Sequence, residues 1–202
     1  MPDKVVVIFV EGDTEIAFYN NLVSLLREKA GGKLSCKVTT KNLRGIGNYE
    51  NDIIRKMSKE IMPKSPQAQF YVMICYDTDV FKYAKKPPMD KKVIKDKLRA
   101  LGIRNVYCIE AKESIEDWFL LDKEGLLSSI GLAKSTRING TGINELERIF
   151  KLKNKTYTKG SKNYGFVNSL DIEKIAGQIC SEICPLCHAL GVKCHSKQSC
   201  KK

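Results

Sequence analysis

Two aspartates, one residue apart, follow a strongly apolar segment. Residues 70–76 read Phe-Tyr-Val-Met-Ile-Cys-Tyr, and Asp77 and Asp79 come next. A continuous apolar run rich in β-branched and aromatic residues is typical of a strand buried on both faces of a parallel sheet. In open α/β sheets, ligands bind beyond the carboxyl ends of the strands. Because neighbouring carboxylates repel each other unless a cation joins them, the pair indicates a cation site.

A second apolar segment, residues 4–10, also ends in a carboxylate, that of Glu11. Gly12 permits a tight turn, and apolar residues then recur at helical spacing as far as the glycine pair 31–32. Glu15 falls in the first turn of this predicted helix, where an acidic side chain can simply compensate the helix dipole. Glu11 has no such structural task and is the stronger functional candidate.

A third group of acids surrounds another predicted helix start. Ser114 and Asp117 have the spacing of a capping box, and Glu113 and Glu116 are expected on one face of the helix that follows. Acidic residues favour any helix N-terminus, so a structural role is equally open for both glutamates. The functional alternative is that this helix begins at the same sheet edge as Asp77.

Strands alternate with helices along the first 125 residues. Strands are predicted at residues 4–10, 34–40, 70–80 and 105–109, and helices at about 13–30, 51–62, 90–101 and 114–122. This alternation favours a doubly wound α/β fold with a mostly parallel four-stranded sheet. We therefore expect a catalytic domain at residues 1–125 and a helical, basic extension at 126–202.

Three of these motifs together carry a family resemblance. A strand ending in Glu-Gly-x-Thr-Glu (residues 11–15), a strand ending in Asp-x-Asp (77–79) and an Ile-Glu-x-Trp segment (115–118) occur in this order. In this the chain resembles the Toprim domain of topoisomerases, primases and small nucleases, above all the Toprim module of overcoming-lysogenization-defect (OLD) type nucleases and their standalone relatives. The resemblance covers residues 4–122. It implies a Rossmann-like sheet, and nuclease activity that could serve defence against phages or mobile elements.

The resemblance also assigns metal ligands. The first family glutamate corresponds to Glu11 and the paired aspartates to Asp77 and Asp79, while Glu15 and Glu116 correspond to further acidic positions. Carboxylates without nearby His or Cys select Mg²⁺ or Mn²⁺, and two such ions about 3.5–4 Å apart can drive phosphodiester hydrolysis. No segment reads as Gly-x-x-x-x-Gly-Lys-Ser/Thr, and we expect no room for a strand-passage domain, so ATP-driven relatives and topoisomerases are excluded.

The basic residues indicate a polyanionic partner. Net charge is +12, and basic residues concentrate in residues 82–99 and 148–162. We expect nucleic acid, with DNA favoured, although a solvated lysine-rich surface is the ordinary alternative. The candidate nucleic-acid ligands are Arg44, Lys82, Lys85, Lys86, Lys155, Lys159 and Lys162. Either Lys155 or Lys159 could stabilise the phosphate during reaction, and Lys159 joins Glu11 as the candidate catalytic pair. Tyr157 and Tyr164 among these lysines suit base stacking and equally an exposed loop.

The C-terminal tail holds five of the eight cysteines. Cys184, Cys187, Cys194 and His195 form a candidate zinc site, but their spacing matches no common zinc module. The competing interpretation is a helix over 172–190 whose cysteines are small core residues. The remaining cysteines fall in or near predicted strands, so we expect a reduced, cytoplasmic protein without disulfides. The first apolar segment is too short for a signal peptide or a membrane span.

Three functions from different classes remain open. The first is a metal-dependent nuclease. The second is a non-catalytic, Toprim-like nucleic-acid binder or adaptor, acting as a homodimer or with a partner subunit. The third is a phosphotransfer enzyme that uses Asp77 as nucleophile and Asp79 as acid. Glu11 argues against the third, because such an enzyme has no use for it.

Overall fold

The central sheet has four parallel strands in the order β2-β1-β3-β4. The strands are β1 Lys4–Val10, β2 Lys37–Asn42, β3 Gln69–Asp77 and β4 Asn105–Ala111. All three neighbouring pairs are parallel. The computed structural model describes residues 3–159 and 164–193. The parallel four-stranded sheet confirms the predicted α/β class. Since the strands run the same way, their carboxyl ends meet at one border, here called the carboxyl edge.

The two inner strands are buried on both faces, which explains their continuous apolar runs. Val6, Ile8 and Val10 of β1 belong to one hydrophobic cluster, whereas Val7 and Phe9 belong to another on the opposite face. Alternate side chains of a strand point to opposite faces, so every position of β1 after Lys4 carries a buried apolar residue.

Ten α-helices are found among the described residues and cover both faces of the sheet. They are α1 Asp13–Lys29, α2 Tyr49–Lys56, α3 Val80–Tyr83, α4 Lys91–Ala100, α5 Ile115–Leu120, α6 Lys123–Ile130, α7 Gly142–Lys151, α8 Tyr164–Val167, α9 Ile172–Gln178 and α10 Cys180–Leu190. Helices α2 and α4 cover one face, and α1 with the C-terminal helices covers the other. Helix α2 continues through a π-helical turn, Met57–Ile61, and a 3₁₀ turn, Met62–Lys64.

Several element boundaries differ from the prediction: β3, for example, ends at Asp77 rather than at residue 80, and α3 begins at Val80. The edge strand β2 begins at Lys37 rather than at residue 34, because Lys37 is the residue that pairs with Val5 at the start of its contact with β1. Strand β4 continues through Glu110, which pairs with Tyr76. Glu113 does not share a helical face with Glu116, since the capping box at Ser114 and Asp117 forms as expected and α5 begins only at Ile115.

The C-terminal helices share a hydrophobic cluster with the sheet, and that cluster extends from Val6 to Leu190. The predicted helical stripe in residues 172–190 is confirmed, with Cys187 buried in it. Of the zinc candidates, Cys194 and His195 lie outside the described residues. Cys180 is disulfide-bonded, so the expectation of no disulfides is wrong; chain length and compartment do not determine which thiols meet in space. Within residues 3–159 and 164–193, no helix combines the length and apolar character needed to cross a bilayer.

Candidate active site

Glu11 and Asp77 meet at the carboxyl edge because their strands are neighbours. Glu11 follows β1 and Asp77 ends β3, and the two strands pair in parallel. The Glu11 Oε1 atom accepts a hydrogen bond from the Asp77 backbone N–H at 3.2 Å. Burial raises the pKa of Glu11, although this bond and the charge of Lys159 lower it. The parallel sheet thus places the carboxylate of Glu11 against the backbone of Asp77, which is 66 residues away in sequence.

Asp77 is the centre of the cluster, and its side chain is almost fully enclosed. The residue is 3% exposed. Its Oδ1 accepts the backbone N–H of Ile115, the first residue of α5, at 2.9 Å. Its Oδ2 lies 2.5 Å from the Lys159 Nζ. Burial raises the pKa of Asp77 to about 7, even though Lys159 lowers it. A carboxyl with this pKa exchanges its proton close to neutral pH.

Glu116 lies on the other side of Lys159. It is 1% exposed. Its Oε1 accepts the hydroxyl of Tyr157 at 2.8 Å, and its Oε2 is 3.9 Å from the Lys159 Nζ and has no hydrogen-bond partner among the described residues. Burial lowers the pKa of Lys159, but the charges of Asp77 and Glu116 and the hydrogen bond to Asp77 outweigh burial and raise it. Lys159 therefore stays protonated at neutral pH.

Glu15 is buried behind this group rather than exposed at the helix end. It is 5% exposed, and its Oε2 has no hydrogen-bond partner within the described part of the chain. Burial raises its pKa to about 8; its own backbone N–H lowers the pKa, and the charges of Asp77, Glu11 and Glu116 raise it further. Compensation of the helix dipole, the favoured interpretation from sequence, does not account for so buried a carboxyl, because that role needs no burial.

Asp79 lies beyond the strand in a turn that Glu113 organises. The Glu113 carbonyl accepts the backbone N–H groups of Thr78 and Asp79 at 2.9 and 3.0 Å, and its own N–H donates to the Thr78 hydroxyl at 2.8 Å. Glu113 has φ +67°, and its side chain pairs with Lys82. Asp79 Oδ1 is buried without a hydrogen-bond partner among the described residues. Glu113 is thus a turn residue, and Asp79 offers an unused oxygen.

The donor set fits a hard divalent cation. Three buried carboxylate oxygens, on Glu15, Asp79 and Glu116, lack hydrogen-bond partners within the described residues. Oxygen ligands of this kind suit Mg²⁺ and Mn²⁺. In the described part of the chain, no three Asp, Glu, His or Cys side chains already surround one point at metal-binding spacing. The positive charge among the carboxylates is instead that of Lys159, which would have to leave Asp77 when a metal ion binds.

The candidate nucleic-acid ligands fall into different places. Arg44 follows β2 and lines a cavity together with Glu11 and Lys159. Lys82, Lys85 and Lys86 lie in the exposed segment after Asp79, where Lys82 pairs with Glu113. Lys155 is turned away, and its Nζ lies 3.3 Å from the Ile130 carbonyl. Lys162 is outside the described residues.

Two residues that contact the candidate site were not expected there from the sequence. Tyr157 is buried and donates to Glu116, so neither base stacking nor an exposed loop describes it; the side chain of Tyr164 is outside the described part. Asn42 donates to Asp13 Oδ1 at 2.7 Å and accepts the N–H of Arg44 at 2.6 Å. No periodicity marks either residue, since Tyr157 lies in irregular chain and Asn42 ends an edge strand.

Comparisons with known proteins give a loose structural similarity. No protein-family model matches the chain, and no curated protein matches its sequence. Two structures of the C-terminal region of the Xanthomonas campestris pv. campestris OLD protein are similar to it. One has 11% identity and a TM-score of 0.38, covering 88% of this chain and 94% of the other. The second has 12% identity and a TM-score of 0.39, covering 88% and 96%. Values this low do not establish a shared activity.

Proposed function

We propose that the chain is a divalent-metal-dependent nuclease that hydrolyses phosphodiester bonds, with DNA the favoured substrate. The observation that carries the proposal is the meeting of Glu11, Asp77 and Glu116, from three separate elements, around Lys159. Burying several carboxylates together destabilises a fold, because each is desolvated and each repels the others. Perturbed titratable groups of this kind concentrate at functional sites.

The carboxylates have distinct tasks in this proposal. Glu11, Asp77 and Glu116 would hold Mg²⁺ or Mn²⁺, and Asp79 and Glu15 would supply further oxygens. A bound ion would lower the pKa of a coordinated water and neutralise phosphate oxygens. Glu11, whose pKa is raised by burial, would also accept the proton of the attacking water.

Lys159 would stabilise the charge of the pentavalent phosphate. Its own segment positions it for this, because Tyr157, two residues before Lys159, donates a hydrogen bond to Glu116. Its side chain is about one-third exposed, at 32%, so it can reach a substrate at the edge while staying beside the carboxylates. Lys155, the alternative from sequence, contacts a helix carbonyl instead. Fixed positive charges at the point where negative charge develops are a main source of catalysis.

A phosphotransfer enzyme that uses Asp77 as nucleophile fits the geometry less well. Both oxygens of Asp77 are engaged, one by the Ile115 N–H and one by Lys159, and the side chain is buried. A nucleophile must instead reach the phosphorus atom of its substrate. The basic residues in the segments that follow β2 and β3, namely Arg44, Lys82, Lys85 and Lys86, also favour a long polyanion over a small phosphate ester.

The test is a cleavage assay with a matched variant. The full chain is incubated with supercoiled and linear duplex DNA, single-stranded DNA and RNA, each with Mg²⁺, Mn²⁺ or EDTA. We expect cleavage of at least one substrate that EDTA abolishes. Glu11→Gln keeps the shape of the side chain, so it should bind nucleic acid as the parent does and cleave on the order of 10²-fold more slowly or worse.

Two outcomes would count against this function. Equal cleavage by the parent and Glu11→Gln would remove the catalytic role of Glu11. Tight nucleic-acid binding by the parent, without cleavage under any divalent ion, would favour the non-catalytic binder.

A further inference from the structure

A cavity of about 520 Å³ opens beside the carboxylates, on the β2 side of the carboxyl edge. Arg44, Gly45 and Lys159 line it, together with the acidic residues Glu11, Asp13 and Glu15. Two cationic side chains from distant parts of the chain thus line a single space. A cavity of this size is in the range that holds a small organic ligand or part of a larger one.

The loop that carries Arg44 is hydrogen-bonded to the turn that carries Glu11. Gly45 donates its backbone N–H to the carbonyl of Glu11 at 2.9 Å. Asn42 accepts the backbone N–H of Arg44 at 2.6 Å and donates to Asp13 Oδ1 at 2.7 Å, which ties the loop to the start of α1. These bonds hold Arg44 at φ +57°, a backbone conformation uncommon for a residue other than glycine. The loop is therefore pre-organised next to Glu11.

The guanidinium of Arg44 has no acidic partner within the described part of the chain. No Asp or Glu in residues 3–159 and 164–193 forms an ion pair with its guanidinium, and the side chain is exposed. The neighbouring acid Asp13 is already bonded to Asn42. A planar guanidinium with five donors is well suited to binding a phosphate through two oxygens.

We propose that this cavity is a second phosphate subsite, in which Arg44 binds a phosphodiester near the scissile one and Asn42 and Asp13 act as positioning residues. The inference rests on the proposed nuclease function. Arg44 follows β2 and Lys159 contacts Asp77 at the end of β3, and β1 lies between those strands. Two strand spacings amount to about 10 Å. At about 3.4 Å per nucleotide in a stacked strand, the phosphate bound by Arg44 lies within about three nucleotides of the cleaved bond.

The first test removes the charge. Arg44→Ala is compared with Lys33→Ala, which removes an equal charge from an exposed position before β2, at the opposite edge of the sheet. Binding of labelled DNA is measured by fluorescence anisotropy in EDTA across a salt series. We expect Arg44→Ala to lower the slope of log affinity against log salt by about 0.7–0.9, the value of one phosphate contact, while Lys33→Ala leaves the slope unchanged. Asn42→Ala, which keeps the Arg44 charge, should show the salt slope of the parent but bind DNA more weakly.

The second test finds the phosphate. Oligonucleotides with one neutral methylphosphonate, at each of three positions on either side of the cleavage site, are bound to the parent and to Arg44→Ala. We expect one position at which the neutral linkage weakens binding to the parent and no longer matters in Arg44→Ala. If every position affects both proteins equally, or Arg44→Ala matches Lys33→Ala, the subsite does not exist although the nuclease assignment stands. If the parent binds no nucleic acid at all, the proposed function itself fails.

Discussion

Replacing Lys159 by methionine should tighten metal binding while it weakens the metal-free fold. In the parent, the Lys159 ammonium lies 2.5 Å from Asp77 Oδ2 and 3.9 Å from Glu116 Oε2, two carboxylates that are 4% and 1% exposed. Lys159→Met keeps the length of the side chain and removes its charge. The carboxylates then lose their internal cation, and a metal ion no longer has to displace one.

The size of the effect follows from this burial. Removing one partner of a buried ion pair costs about 3–5 kcal/mol, but Lys159 is 32% exposed and screened by water, so about 1–3 kcal/mol is expected here. The cost should be smaller at pH 6 than at pH 8, because Asp77, with a pKa of about 7 that would rise further, takes up a proton at lower pH. Coupling of about 1–3 kcal/mol corresponds to Mn²⁺ binding about 5–150-fold more tightly in the variant.

Isothermal calorimetry with Mn²⁺ and urea unfolding in EDTA, both at pH 8, measure the two effects. Lys155→Met is the matched control, because Lys155 lies four residues away on the same segment and contacts the Ile130 carbonyl rather than a carboxylate. Cleavage by Lys159→Met should fall by about 10²–10³-fold, as when one donor to a transition-state oxyanion is lost. The reasoning is refuted if Lys159→Met binds Mn²⁺ no more tightly than the parent and Lys155→Met do.

Two further predictions concern the buried groups behind the site. Glu15→Gln should flatten the pH dependence of stability in EDTA. The unfolded parent releases this proton near pH 4.5 and the folded parent only near pH 8, so the parent loses stability as pH rises between those values, by an upper limit on the order of 5 kcal/mol; equal slopes in urea unfolding from pH 4.5 to 8 would contradict this. Tyr157→Phe should reduce the free energy of unfolding by about 1–3 kcal/mol, because Glu116 loses its hydroxyl donor. It should also slow cleavage, since Tyr157 fixes the segment that carries Lys159, and unchanged stability and rate would show that the bond does not position Lys159.

The sheet and two of its carboxylates could be predicted from the sequence. Segments as continuously apolar as β1 and β3 suit a strand covered on both faces, and parallel pairing then places Glu11 and Asp77 at one edge. The boundary of β2 could not be predicted as well. An edge strand is half exposed, and Lys37–Asn42 reads Lys-Val-Thr-Thr-Lys-Asn, which carries little apolar pattern to fix its register.

The contact between Lys159 and Asp77 could not be predicted from the sequence. Lys159 and Asp77 are 82 residues apart, and the chain around Lys159 has no regular structure whose period could orient a side chain. Lys155 and Lys159 look alike in composition, and only tertiary packing separates them. The burial of Tyr157 could not be predicted for the same reason, because a tyrosine among lysines gives no sign that the core of the C-terminal helices encloses it.

The most direct test of a metal-dependent site is anomalous diffraction from crystals grown or soaked with Mn²⁺. We predict at least one anomalous peak within bonding distance of carboxylate oxygens of Asp77 and of Glu11 or Glu116, with the Lys159 ammonium displaced from Asp77 Oδ2. In crystals of Asp77→Asn under the same conditions, the peak should be lost. Crystals of the parent without a peak at the carboxyl edge at millimolar Mn²⁺, with Lys159 still bonded to Asp77, would contradict the proposed metal site.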